Sequence, residues 1–334
     1  MGGTMRRRDF IKVLGGAAAA WPFSARAQRS ERVRRIGVLM GRPAGDSEGQ
    51  KQAAALQRGL EELGWRSNRN IEIDVRWQTD DSTQRQAFAK ELVELKPDVL
   101  VANTTPALLA AQQATTSVPM VFVAIADPVA QGFVQSLARP GGSITGFGAE
   151  EPSMGGKWVE MLREIAPAVR RITVLFNPSS APFGSIFLPS MQAVRTSAPP
   201  EIVVSQVFSD ADLESAIAAA AGDPSGGLIC LPDSFLNSRP ATVVSLVARH
   251  NLPAIYPIPS FPRNGGLIAY GIERVDIFYR AAAYVDRILR GEHPSELPVQ
   301  FPTKFELVIN LKTAKAIGLT VPDGLVLAAD EVIE

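Results

Sequence analysis

Apolar residues fall along this chain in short, evenly spaced runs, and most runs are followed by a segment with helical spacing. Apolar runs bounded by Gly, Pro or Asx predict strands, and a 3.6-residue apolar repeat predicts a helix. RRIGVLM (34–40) predicts a first strand, and 53–63 a helix closed by Gly64. IEIDVRW (71–77) alternates apolar and polar positions, as a half-exposed strand near a sheet edge does. A helix over 84–95, a buried strand over 98–102 and a helix over 107–114 follow. VPMVFVAI and GGSITGF then complete five strands. Strands alternating with helices predict an α/β chain with a parallel, doubly wound sheet.

The second half repeats the order. RRITVLF (170–176) echoes RRIGVLM, and EIVVSQVF stands where IEIDVRW stood. GGLICLP, NLPAIYP and GGLIAYG take the places of DVLVAN, SVPMVFV and GGSITGF. Five elements in one order predict two similar Rossmann-like lobes. The first is expected over 34–147 and the second over 150–270. Beyond Gly271, a helix carries Ile277, Ala281, Tyr284, Val285 and Ile288 on one face and ends at Gly291. The segment of about 272–300 is assigned to lobe one, and 301–334 is left without a lobe. A helix that returns to lobe one joins the lobes by more than one crossing, which makes a hinge with a defined closing motion.

The first 27 residues differ from the rest. Arg6-Arg7-Arg8-Asp9-Phe10-Ile11-Lys12 precedes a short apolar stretch, and Ala25-Arg26-Ala27 follows. These are the parts of an export signal, twin-arginine-like in its basic end, removed after about Ala27. Periplasmic localisation follows as an expectation, and no later apolar run approaches the length of a membrane span. The 34 Lys and Arg balance the 34 Asp and Glu, so nothing points to nucleic acid. Cys230 is the one cysteine, which excludes a disulfide framework and a cysteine-rich metal site; it reads as a small buried hydrophobe.

Two longer stretches carry a resemblance. ADPVAQGFVQSLARPGGSITGF (126–147) and FPTKFELVINLKTAKAIGLTVPDGLVLAADEVIE (301–334) resemble the substrate-binding proteins of a bacterial ABC-transporter family that includes tryptophan/tyrosine-type binding components. The resemblance runs from about Arg34 to Glu334. It implies a type I periplasmic-binding-protein fold, a small-molecule ligand between two lobes, ABC permease and ATPase subunits as partners, a monomer, and no cofactor or metal. The expected ligand, argued from the loop residues below, is a small carboxylate-bearing solute, an amino acid or an aromatic acid. A sensor subunit presenting such a solute to a membrane receptor is the alternative.

In open α/β sheets the ligand lies beyond the carboxyl ends of the strands. That rule selects the loops 41–47, 103–106, 124–127 and 147–150 in lobe one, and 177–182, 232–235, 256–259 and 270–271 in lobe two. Asn103, Thr104 and Thr105 stand where a buried strand meets a helix N-terminus, a place that favours an anion. They cap the helix, or hold a ligand as well. In amino-acid-binding relatives this loop holds the ligand carboxylate, so the resemblance implies that role here.

Asp127 either caps a helix over PVAQGFVQSL or touches ligand. Asp233 is placed to receive a ligand ammonium across the cleft, or to cap. Asn177 contacts ligand or forms an Asx turn. Phe147, Phe183, Phe235, Tyr256 and Tyr270 sit at strand ends, where they line a cleft for an apolar ligand body or pack the core. Arg42 adds a charge contact or simply faces solvent. Catalysis is not expected: His250 and His293 look peripheral, and no H-E-x-x-H, P-loop or G-x-G-x-x-G follows a strand.

Overall fold

A computed structural model describes residues 32–77, 81–195 and 198–334; the export signal expected over 1–27 lies outside them. Strands β1 (Arg34–Met40), β2 (Ile71–Trp77), β3 (Val99–Asn103), β4 (Met120–Ile125) and β5 (Ile144–Gly148) form a parallel sheet in the order β2-β1-β3-β4-β5. The second sheet holds β6 (Arg171–Phe176), β7 (Glu201–Gln206), β8 (Gly226–Cys230), β9 (Ala254–Tyr256), β10 (Ile268–Ile272), β11 (Phe305–Asn310) and β12 (Glu331–Ile333). Its order is β12-β11-β10-β9-β8-β6-β7, so five of its strands repeat the plan of the first sheet. The half-exposed strands β2 and β7 are the equivalent edges. Strand β11 runs antiparallel to β10, so the second sheet is mixed rather than wholly parallel.

Helices α1 (Ser47–Glu62), α2 (Ser82–Glu94) and α3 (Thr105–Ala114) belong to the first sheet, and α4 (Met154–Ile165), α5 (Asp210–Ala221) and α6 (Pro240–Arg249) to the second. Both faces of each sheet are covered, which is why β3 and β8 read as unbroken apolar runs. On one face of the first sheet Ile36, Val38, Leu56 and Leu60 join Ile277, Phe278, Ala281 and Val285 of α7 (Arg274–Leu289). On the other, Leu100, Ala102, Leu108 and Phe122 pack together. Each such side chain contributes about 1.5–3 kcal/mol by leaving water.

Helix α7 follows the second sheet in the chain but lies against α1. Gly59 makes the crossing close: a Cβ there would stand 2.7 Å from Ala282 Cβ and from the Tyr279 carbonyl. Trp65 Nε1 donates to Asp286 Oδ1 at 2.8 Å across the same contact. The chain therefore crosses between the sheets three times, after β5, before α7 and ahead of β11. Backbone bonds Gly148 N–Gln300 O (2.7 Å) and Glu273 N–Lys304 O (3.2 Å) hold these segments side by side.

PVAQGFVQSL does not form the helix that Asp127 was expected to cap. Gly132 takes φ +75° and closes a turn onto Val129, so the chain leaves the helical path after one turn.

Candidate functional site

The loops that leave β1, β3, β4 and β5 face those that leave β6 and β8, and Arg274 enters from the hinge. The cavity between them is about 30 Å³, room for about one water. Larger chambers of about 650 and 750 Å³ open between the lobes on either side. Arg42 spans the gap: its Nη1 lies 3.5 Å from the carbonyl of Asn237 in lobe two and 3.0 Å from both oxygens of Asp46. Burial, opposed by Asp46 and reinforced by the nearby Arg274, pulls the Arg42 pKa below the ordinary guanidinium value; the group stays charged. Asp46 also caps α1, accepting from Gly49 N at 2.6 Å.

Several buried polar atoms lining this cavity find no hydrogen-bond partner among the described residues. They are Thr105 Oγ1, Glu150 Oε2, Asn237 Oδ1 and Arg274 Nε. A buried polar group left unmatched costs about 1–3 kcal/mol, so four gathered at one place set this cavity apart. Glu150 and Arg274 already form an ion pair at 2.9 Å, with the Glu150 side chain fully buried. Each thus keeps one side-chain atom without a partner.

The loop after β3 is strained. Thr104 occupies the N-cap position of α3 at φ 84°, ψ 148°, and its side chain makes no cap bond. A β-branched residue at positive φ is a true outlier, of the kind that concentrates at binding sites. Gly41 makes room for it: a Cβ at Gly41 would collide with Thr104 Cγ2 and stand 2.6 Å from Asn103 O. Asn103 lines the cavity while its Nδ2 ties β3 to β4 through Val123 O at 3.0 Å.

Asp233 also lines the cavity, but its carboxylate is engaged within the chain. It accepts from Asn177 N at 2.5 Å, Phe235 N at 2.8 Å and the Ser180 hydroxyl. Burial pushes its pKa up to about 6, against the pull of those donors. It pins the loops after β6 and β8 to each other.

The other expected residues lie elsewhere. Asp127 accepts from Ala130 N at 3.0 Å and closes its own turn. Asn177 forms an Asx turn with Ser179 N at 2.8 Å. Phe147 packs on Tyr284 in the lobe-one core, with ring centroids 4.9 Å apart. Tyr256 stacks on Phe261 at 4.5 Å inside lobe two, and Tyr270 stacks on Phe305 at 5.8 Å in the hinge. Phe235 lies under the Arg239 guanidinium. Of the five aromatics, Phe183 alone lines the central cavity.

Sequence reasoning passed over Asn237 and Arg274 and did not single out Glu150. One signal for Arg274 was present: a cation in the first turn of a helix opposes the helix dipole and needs another reason to be there.

A family model described as ABC transporter substrate binding protein matches residues 44–333. A tyrosine-binding protein of Clostridioides difficile (strain R20291) is 27% identical over 293 residues, 87% of this chain and 82% of that one. Among solved structures, an ABC domain in complex with L-Trp from Streptococcus pneumoniae is 25% identical, with a TM-score of 0.82 over 90% of this chain and 99% of that one. A conserved domain protein from Vibrio cholerae matches at 27% identity and a TM-score of 0.82, over 90% of this chain and 100% of that one.

Proposed function

Since the chain belongs to the ABC transporter substrate-binding protein family, a non-catalytic solute-binding family, we propose that it captures a small carboxylate-bearing solute between its lobes and delivers it to a membrane permease. The ligand class is an amino acid or an aromatic acid, in line with the tyrosine- and L-Trp-binding relatives. One observation carries this reading: the polar atoms left unmatched between the lobes, at the carboxyl ends of the strands. Thr105 Oγ1, the N-terminus of α3 and Arg274 Nε provide donors for the carboxylate. Closure stabilises the bound form because the ligand touches both lobes only when they meet.

Family members act outside the cytoplasm, and no helix among the described residues is long and apolar enough to cross a membrane. Export on the N-terminal signal, with ABC permease and ATPase subunits as partners, completes the proposal. A thermal-shift screen of refolded protein against amino acids, aromatic acids, sugars and inorganic anions tests it. A ligand that binds only the folded chain raises the midpoint by mass action, so carboxylates shift it and sugars do not. A response to sugars alone overturns the assignment.

A further inference from the structure

We propose a second ligand site, inside lobe two and apart from the cleft: a pocket beside Tyr256 that takes a small neutral molecule with an apolar body and one hydrogen-bonding group. The pocket is about 260 Å³ and lies between the end of α6, the turn 265–267 and helix α8 (Leu311–Ala316). Leu252 and Leu267 line it and precede β9 and β10, so it sits at the amino ends of these strands, away from the cleft. None of its lining residues lines the central cavity or the two chambers between the lobes. Its apolar walls join the two cores of lobe two, with Val244, Val247 and Leu252 from one and Leu267 from the other. Thr313 Oγ1 donates to Gly265 O at 2.8 Å, and Asn310 Nδ2 to Pro262 O at 3.0 Å. These bonds hold α8 against the turn, so a ligand meets walls already in place.

Tyr256 gives the pocket its polar requirement. The residue is 1% exposed, and its hydroxyl finds no hydrogen-bond partner among the described residues. One face of the ring is taken by Phe261. The hydroxyl end lies against the turn at Gly266, where a Cβ would stand 2.7 Å from Tyr256 Cε2. Burial holds the phenol pKa well above its ordinary value, so the hydroxyl stays neutral and can donate or accept. A carboxylate beside it would leave water for a single neutral hydroxyl, which does not repay the desolvation. Lys312, the one charged residue among those that line the pocket, is exposed, and a solvated cation adds little. The occupant is therefore a neutral phenol, alcohol or ketone. At the roughly 30 Å³ that liquid water gives each molecule, the pocket has room for about nine non-hydrogen atoms.

The test is a ligand-detected NMR titration of the full-length protein with 4-methylphenol, beside toluene, which lacks the hydroxyl, and 4-methylbenzoate, which carries a charge. The expected Kd for 4-methylphenol is about 0.1–1 mM, with both comparison probes at least about fivefold weaker. Tyr256→Phe keeps the ring and its stack on Phe261. It should weaken 4-methylphenol about tenfold and leave toluene within about twofold. Its apo midpoint should hold or rise, because the change deletes an unmatched buried hydroxyl. Ala316→Trp, at an exposed position on the rim, should abolish binding of 4-methylphenol, while Thr105→Ala in the cleft leaves it unchanged. The absence of 4-methylphenol binding overturns the site, as does equal affinity in wild type and Tyr256→Phe. Binding lost in Thr105→Ala and kept in Ala316→Trp puts the probe in the cleft and overturns it too. A preference for 4-methylbenzoate overturns the assignment of a neutral occupant.

Discussion

The loops after β3 and after β8 occupy the same place in two sheets of the same strand order, yet they do opposite things. In lobe one Thr104 sits at φ 84° without a cap bond, and Thr105 Oγ1 faces the cavity unmatched. In lobe two Asp233 takes ordinary extended geometry, caps the next turn and binds the neighbouring loop. One loop leaves the Thr105 hydroxyl unmatched beside a strained Thr104. The other uses its polar groups to fix its own shape. The duplication set up two equivalent positions: the Thr105 hydroxyl stays unmatched in one, and both oxygens of Asp233 are engaged in the other.

The largest test of that contrast is at the hinge. Arg274→Ala leaves Glu150 buried without its cation, and we expect about 3–5 kcal/mol of lost stability in urea unfolding together with abolished binding. An Arg274→Ala protein with a wild-type midpoint would remove the buried pair from the account.

The paired loops come next. Thr104→Ala with Thr105→Ala should weaken carboxylate binding by about 10- to 100-fold while moving the apo midpoint little, since neither hydroxyl caps α3. Asp233→Asn should do the reverse, lowering apo stability by about 1–3 kcal/mol with a smaller change in affinity. Equal effects from both variants would erase the distinction.

Asp233 also predicts a pH signature. Its folded pKa is raised from 3.8 to about 6, so between those values the folded chain holds a proton that the unfolded chain has lost. Stability contributed by this group is therefore highest below about pH 4 and falls as pH rises through 6, by about 2–3 kcal/mol. Asp212 and Asp223, whose carboxyls are held low by backbone hydrogen bonds from Phe208 and Ser225, slope the other way. The difference between wild type and Asp233→Asn, measured as unfolding free energy from pH 4 to 7, isolates the slope. A constant difference would contradict the buried carboxylate.

The smallest effect is expected at Thr104 alone. Thr104→Gly relaxes a conformation natural to glycine and removes one side chain from the cleft. We expect the apo unfolding free energy to hold or rise by about 1 kcal/mol while affinity falls. A drop in apo stability would show that the side chain is needed for packing.

Much of the fold could be read from the runs themselves. Five matched apolar segments became five matched strands, because a parallel sheet covered on both faces demands unbroken apolar residues. Helix α1 begins at Ser47 rather than 53 because its first turn is polar and is started by the Asp46 cap, which an apolar repeat does not register. The antiparallel β11 was equally invisible, since one apolar run carries no direction.

The strand-end rule selected loops that line the central cavity, and Asn103, Thr104, Thr105 and Asp233 with them. It did not tell which way side chains turn. Phe147, Tyr256 and Tyr270 stand at strand ends and pack away from the central cavity, each against another ring. Arg42 is 6% exposed where a solvent-facing loop residue was the alternative, because Asp46 and the facing lobe enclose it. Arg274 and Asn237 come from the hinge and the end of a helical turn, and only the meeting of the lobes brings them to the cavity.

The most direct test of the claim that the unmatched atoms between the lobes form the ligand site is a paired titration. Wild-type and Thr105→Ala proteins, refolded to remove carried ligand, are titrated with the carboxylate that gives the largest thermal shift. The account predicts at least a tenfold weaker Kd for Thr105→Ala with an unchanged apo midpoint. Equal Kd values for the two proteins would place the ligand elsewhere and contradict it.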